Sequence, residues 1–421
     1  MAAAPIPEFD LSRVDRIDPA QQADCCIVGG GPGGMMLGLL LARRGVKVTV
    51  LEAHKDFDRE FRGDTLHSSI LEVLDQIGLA EGVHQLSQNR LYGPTLQASG
   101  RTFSPVDFRR LNTRFPYILL VQQRRFLDFL AAEAKKYPNF QLRMLANVTG
   151  LIEDEVGVHG VRYQSTDGQH EIRARLVIGA DGRFSKVRQL AGFEPIKTSP
   201  PMDVLWFRLP HLPSDEHSDR VMGGFGGGRL LVVFDRTDYW QVAYVFRKGD
   251  YQQVRAAGID AFRKSIVEVE PTFAQHVGSL TDWHQCSLLS VESSRCPVWH
   301  KPGLLLIGDA AHVMSPVGGV GINYAVQDAV VAANVLTFPL LNHEVHERDL
   351  AEVQSQREWP TRVIQKIQSI IQARMIASAL QNQSTLTVPW WLRLYFKIPV
   401  LRDIPARILA FGVTRVRLED P

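Results

Sequence analysis

The chain has 421 residues, of which 45% are apolar and 22% charged, and its 47 Lys+Arg against 45 Asp+Glu leave a net charge of +2. That length can bury one large core or two modest ones, and the composition is that of an ordinary globular protein. Without a basic run or an aromatic–basic stripe, the sequence offers no footprint for a nucleic acid. Cys25, Cys26, Cys286 and Cys296 form no C-x-x-C pair and no zinc spacing, so neither disulfides nor a metal are expected. Met1–Gln22 has no cationic start followed by an apolar core, and no uncharged apolar run reaches about 18 residues. The expected setting is cytoplasmic, with no spanning segment.

In chain order, Asp24–Val28 reads as a buried strand, Gly33–Arg44 as a helix ended by Gly45, and Lys47–Leu51 as a second β-rich run. Between strand and helix lies Gly29-Gly30-Gly31-Pro32-Gly33-Gly34, in which Gly29, Gly31 and Gly34 have G-x-G-x-x-G spacing. Strand, glycine turn, helix, strand is the context that this spacing needs to bind a dinucleotide. The first two glycines let the backbone turn and approach a pyrophosphate, and the third lets the helix pack close to the strand. The helix start offers free N–H groups and a positive dipole end to the phosphates. Glu52, 23 residues after Gly29, can accept hydrogen bonds from a ribose.

Further on, Ser68–Ile77 and Arg125–Lys136 look helical, and Gln141–Met144, Val158–Gln164 and Arg175–Ile178 look like strands. The last runs into Gly179-Ala180-Asp181-Gly182, which alone is no more than a turn signal. Leu230–Phe234 and Tyr239–Phe246, separated by Asp235-Arg236-Thr237-Asp238, read as a hairpin in an antiparallel sheet. Leu304–Ile307 is again a buried strand, and a helix is expected over Gly321–Leu336. Between them stand Gly308-Asp309-Ala310-Ala311-His312, then Pro316, then Gly318-Gly319-Val320-Gly321-Ile322-Asn323. Asp309 can bond the hydroxyls of a sugar alcohol, and the helix entry suits an anion such as a reduced flavin. The tail from Glu347 is expected to be helical with breaks at Pro360 and Pro389. Its segment from Pro389 through Trp390 and Trp391 to Ile398 either packs across the domains or touches a membrane surface.

These three segments, in this order, resemble the single-component flavin-dependent aromatic hydroxylases, of which para-hydroxybenzoate hydroxylase is a member. The resemblance spans roughly residues 24–340. It implies an α/β fold: a Rossmann-like, glutathione-reductase-like FAD-binding domain, an inserted antiparallel β-sheet substrate domain and C-terminal helices. The corresponding boundaries are a tail over 1–23, the FAD domain over 24–90, 121–199 and 289–345, the substrate domain over 91–120 and 200–288, and a helical region over 346–421. It implies that Gly29, Gly31, Pro32, Gly33, Gly34, Glu52, Arg62, Gln123, Val148, Asp181, Gly182, Gly308, Asp309, Gly321, Ile322 and Asn323 hold FAD. Around Gln123 the chain departs from the Pro and Trp-Asp pattern of many relatives.

By the same resemblance, NADH or NADPH reduces the flavin. O2 then forms a flavin C4a-hydroperoxide, and one oxygen atom passes to an electron-rich, hydrophobic aromatic or polycyclic substrate. Pro316, Gly318 and Gly319 would assist at the flavin face. With no second dinucleotide motif, the nicotinamide would bind transiently, near Asp181 and Arg183. His67 and His312 are candidates for proton handling or for packing, and His67 is also a substrate-site candidate. Trp240 and Tyr244 share one face of a strand and either line the substrate cavity or fill a sheet core. The competing readings are a flavin-dependent reductase of isoprenoid double bonds and a non-redox protein that keeps FAD to shape a ligand site.

Overall fold

The computed structural model describes residues 22–58, 64–87, 89–98, 101–104, 106–198, 200–217, 221–226, 228–236, 238–380 and 403–419. Arg62 and the Trp390–Trp391 segment lie outside the described residues. The architecture is mixed α/β, with several sheets and C-terminal helices.

The first element among the described residues is β1 (Gln22–Val28), whose last four residues are buried. Helix α1 (Pro32–Arg43) follows, with Pro32 in the first turn, where a missing N–H costs nothing. Almost every α1 side chain is buried, because the helix is sandwiched between β1, β2 (Val48–Leu51) and a later helix. Helices α2 (Ser68–Gln76) and α3 (Gln123–Ala134) precede β3 (Phe140–Arg143) and the long β4 (Gly168–Gly179). The next sheet is built from β5 (Met202–Pro210), β6 (Val221–Gly226), β7 (Arg229–Asp235), β8 (Tyr239–Arg247) and, after helix α4 (Ile259–Val269), β9 (Ser287–Ser290). Strand β10 (Leu304–Leu306) returns to the first sheet, and helices α5 (Gly321–Leu341) and α6 (Glu347–Leu380) follow.

In the first sheet the order β10–β4–β1–β2–β3 is parallel throughout. Its register sets Leu306 beside Gly179, Gly179 beside Val28, Val28 beside Leu51 and Leu51 beside Arg143. All five strands therefore end in one row. The ladder continues past it: Ile307 N–H donates to Gly179 O (2.9 Å), Ala180 N–H to Val28 O (2.7 Å) and Gly29 N–H to Leu51 O (2.7 Å).

The second sheet has the order β9–β5–β8–β7–β6, extended by Pro94–Ala98 and Arg101–Phe103. It is antiparallel except where β6 runs parallel to Pro94–Ala98. One face packs on α4 through Leu205, Phe207, Val242, Tyr244, Phe262 and Ile266. The expected hairpin is β7–β8.

Helix α5 is long and apolar enough to cross a membrane by composition, but 67% of its apolar window is buried within the chain. It packs on α1, and its central Asp328 is fully buried. Asp328 Oδ1 accepts from Arg357 Nε of α6 (2.7 Å), and Oδ2 accepts from Gly308 N–H (2.9 Å) and lies 2.7 Å from His312 Nε2. Burial pushes the Asp328 carboxyl up, yet His312 and Arg357 outweigh it and hold it below the usual carboxylate range. Helix α6 runs unbroken through Pro360, contrary to the expected break. It is anchored on both sides of the proline: Arg357 reaches Asp328, while Gln365 and Gln368 donate to the carbonyls of Ser294, Val313, Ser315 and Val317. These tertiary bonds offset the hydrogen bond that a proline removes from a helix.

Asp328→Ala should leave Arg357 as an uncompensated buried charge and cost about 3–5 kcal/mol. Urea unfolding of the FAD-loaded protein measures this directly, and a loss below about 1 kcal/mol would show that the network is not structural.

Candidate functional site

The row of strand ends places the three sequence motifs side by side. Gly29–Gly31 leave β1, Glu52 leaves β2, Ala180–Asp181 leave β4 and Gly308–Asp309 leave β10. Adjacent strands lie about 4.8 Å apart, so the outer motifs are separated by roughly two strand widths.

Gly29 has a positive φ of 107°, and a Cβ there would sit 2.4 Å from Ala180 O. Only glycine fits this crossing of two strand ends. At Gly34 a Cβ would lie 2.0 Å from Gly29 O, so α1 closes tightly on the turn. At Gly31, by contrast, the nearest atom to a Cβ would be Ala180 O at 4.0 Å, which leaves the backbone open to a ligand. Glu52 braces this turn: its Oε2 accepts from Gly30 N–H (2.9 Å) and its Oε1 from His54 N–H (3.0 Å).

Asp181 serves as a local cap. Its carboxylate accepts from Ser185 Oγ, Lys186 N–H (2.6 Å) and Val187 N–H (3.0 Å). Burial raises its pKa, and those bonds only partly oppose the rise. Arg188, in the same motif, donates to Ala310 O (3.0 Å) and so ties the middle segment to the third.

In the third segment, Gly318 and Gly319 have φ of 81° and 63°. Thr65 Oγ donates to Gly319 O (3.0 Å), and Asn323 Oδ1 accepts from His67 N–H (3.1 Å). These bonds fix the Pro316–Gly319 loop at the entry to α5. The first N–H groups of that helix have no intrahelical acceptor and form an anion-favouring end.

A cavity of about 1440 Å³ runs along these features. It is lined by Gly29, Gly31, Pro32, Gly33, Glu52, Gln123, Val148, Asp181, Gly182, Gly308, Asp309, Pro316, Gly318, Gly319, Gly321 and Ile322. It exceeds the roughly 300–1,000 Å³ of a single small-ligand pocket, as an extended dinucleotide with a second molecule requires. The open Gly31 backbone, the Asp309 carboxylate and the helix entry at Gly321 suit the phosphates, ribityl chain and ring of FAD.

Several expected residues stand elsewhere. Gly34 and Asn323 are buried behind the lining. His67 is fully buried; its Nδ1–H donates to Leu409 O (2.6 Å), and its Nε2 has no partner. Trp240 and Tyr244 point to the α4 face, where Trp240 Nε1 donates to Asp215 (2.8 Å) and Tyr244 pairs with Ser265 (3.0 Å). Gln241, Ala243 and Val245, one register away on β8, line the cavity instead. His312 lies in the Asp328 network, outside the lining.

The far wall of the cavity belongs to the sheet expected to hold the substrate, but its lining residues were not singled out in the sequence. It is the open face of the second sheet, with Val204, Trp206, Phe225, Val232 and Phe234. At one end Arg236 donates to Asp64 (2.6 Å) and to Gln241 (2.7 Å). Burial raises the Asp64 pKa although Arg236 pulls it down. Val204–Phe207 and Leu230–Phe234 are apolar throughout, so no alternation of polar and apolar residues marks which side chains face the cavity.

The family profile described as "FAD binding domain" matches residues 22–366. The 6-methylpretetramide 4-monooxygenase of Streptomyces rimosus is 33% identical over 400 residues, 94% of each chain. The chain belongs to the flavin-dependent aromatic hydroxylases. The para-nitrophenol 4-monooxygenase of Pseudomonas sp. strain WBC-3 is 25% identical over 75% of this chain and 78% of that one. Among solved structures, the OxyS anhydrotetracycline hydroxylase of Streptomyces rimosus superposes with a TM-score of 0.75 at 23% identity, covering 95% of this hydroxylase and 78% of that chain.

Two measurements check this geometry. Gly29→Ala should abolish FAD retention, read from the visible absorbance of purified protein; full retention would contradict the crossing described above. Burial pushes His67 down to about 4 from 6.5, against the pull of its bond to Leu409. The unfolded chain therefore takes up this proton below pH 6.5 while the folded chain does not, so stability is full above that pH and falls as pH drops towards 4. Between pH 7 and 5 the wild type should lose about 2 kcal/mol more than His67→Gln, measured by urea unfolding.

Proposed function

We propose that this FAD-dependent monooxygenase hydroxylates a large, flat, oxygen-bearing polycyclic aromatic compound, with NADH or NADPH as electron donor. The observation that carries this reading is the continuity of one cavity from the Gly29–Gly31 turn, past Pro316–Gly319, to the apolar face of the second sheet. FAD, once reduced, supplies the transfer of one oxygen atom from O2.

The chain's own residues bind, orient and exclude water. In this reading Gly29–Gly33 and Gly182 hold the pyrophosphate, Glu52 orders the adenosine side, and Asp309 takes the ribityl hydroxyls. Gln123 and Val148 complete the cofactor wall. Pro316, Gly318 and Gly319 border the reacting ring, and their backbone dipoles with the α5 entry favour its reduced, anionic state. Trp206, Val232 and Phe234 keep the substrate side dry, which protects the oxygen-transfer step from water. Asp181 and Arg183 mark the groove for transient nicotinamide binding.

The parallel sheet with α1 is read as a Rossmann-like, glutathione-reductase-like domain over 24–90, 121–199 and 289–345. The second sheet is read as the substrate domain over 91–120 and 200–288, followed by the helical region 346–421. Two relatives named for 6-methylpretetramide and anhydrotetracycline support a polycyclic substrate over a small phenol. The cavity of about 1440 Å³ with its apolar far wall supports it independently.

The test is NAD(P)H consumption by the FAD-loaded protein with anhydrotetracycline and with para-nitrophenol, under ¹⁸O2. Faster consumption with one labelled oxygen in the polycyclic product is expected. Substrate reduction without label would favour a reductase, and an unstimulated rate would favour a non-redox role. Ala243→Phe, which adds bulk beside Trp206, should raise KM for the polycyclic substrate at least about tenfold with flavin content unchanged.

A further inference from the structure

The cysteine spacing led to the expectation of no metal, and the sequence does not single out His211, His217 or Asp235. The fold nevertheless brings them together. His211 follows β5, His217 lies in the loop after it, and Asp235 ends β7. Their ligand atoms all lie within 4.8 Å of one another, and none of the three lines the cofactor cavity.

Asp235 is 5% exposed. Its Oδ1 is 3.2 Å from His211 Nε2, and its Oδ2 is 3.0 Å from His217 Nδ1. Two ligands that share a zinc ion at about 2.0–2.2 Å, at angles between octahedral and tetrahedral, stand roughly 3.0–3.5 Å apart. The two His–Asp separations fall in that range, the His217–Asp235 contact being also a hydrogen bond, and the two imidazole nitrogens lie within 4.8 Å of each other.

The surroundings prepare His211 in particular. Its ring stacks on Trp240 at 4.3 Å between centroids, with 19° between planes. Its Nδ1 faces Asp215 Oδ2 at 3.7 Å, and Asp215 is itself fixed by Trp240 Nε1 (2.8 Å), Leu212 N–H (3.0 Å) and His276 Nε2 (2.8 Å). At 3.7 Å this carboxylate is beyond hydrogen-bond reach and acts on that side of the ring only as a nearby charge, which leaves the other nitrogen free to serve as a ligand. That other nitrogen, His211 Nε2, is buried and makes no hydrogen bond. It points at a carboxylate as a metal ligand would. His217 is 65% exposed and leaves the site open to solvent on its side.

We propose that His211, His217 and Asp235 bind a divalent transition-metal ion, with zinc the best match, and that water completes its coordination. Two imidazoles and one carboxylate suit zinc over magnesium or calcium, which prefer oxygen alone. The ion would pin the 211–217 loop to the turn after β7, whose next residue, Arg236, holds Asp64 at the end of the cavity. Its role is structural: it ties a loop outside the active cavity to a residue that shapes it.

The experiment uses untagged, FAD-loaded protein stripped with chelator and titrated calorimetrically with zinc chloride, then with magnesium and calcium chloride. One zinc per chain at micromolar affinity or tighter, no comparable magnesium or calcium binding, and a higher Tm with zinc are expected. Affinity should fall at least about tenfold in Asp235→Asn and in His217→Ala. His217→Ala alters an exposed side chain, so its flavin spectrum and metal-free Tm should match the wild type and confirm folding. Absence of zinc binding, or binding equally tight in both variants, would overturn the proposal and leave two His–Asp ion pairs.

Discussion

Everything in the site depends on one constraint: β10, β4, β1, β2 and β3 run parallel and end in a single row. Residues nearly 300 positions apart become neighbours because Val28, Gly179 and Leu306 are hydrogen-bonded companions. A parallel sheet also puts helices on its faces, so α1 and α5 converge on the same edge. Their close packing appears at Gly33, where a Cβ would come 3.0 Å from Ala325 O. Two helix starts, with their unpaired N–H groups, then face one cavity.

The third segment is held in place from behind. Asp328 binds the Gly308 amide, His312 and Arg357 together, so the β10 turn, α5 and α6 are tied to one carboxylate. Arg188 adds a second tie through Ala310 O, and Thr65 a third through Gly319 O. The motifs thus contain two kinds of residue. Backbone positions such as Gly31 and Gly321 stay open to the cavity, while the charged side chains of Asp181 and Asp328 are spent on internal bonds. An active site assembled from loops gains its rigidity from such supports.

The strand, turn, helix and strand of the first motif were readable because they are local: they follow one another within a few residues. The β7–β8 hairpin was readable for the same reason. The face of β8 was not. Tyr239–Arg247 is buried on both sides except at its ends, so alternation of polar and apolar residues carries no information about which side meets the cavity. Trp240 and Tyr244 are the larger aromatics, but they fill the core against α4, and the smaller Ala243 and Val245 leave room for a ligand. Pro360 misled for a different reason: the bonds that hold α6 through the proline come from segments distant in sequence. The His211–His217–Asp235 grouping was invisible because its members join only when β5 and β7 pair through β8.

The central claim is that one FAD lies stretched along this edge, with its pyrophosphate at Gly29–Gly33 and its ring at Pro316–Gly319. A crystal structure of the FAD complex tests it most directly. The expected result is density for the pyrophosphate against the Gly31 backbone, for the ribityl chain beside Asp309 and for the ring beneath the α5 entry. A flavin ring bound away from the Pro316–Gly319 loop, or crystals that stay free of FAD at saturating concentration, would contradict it.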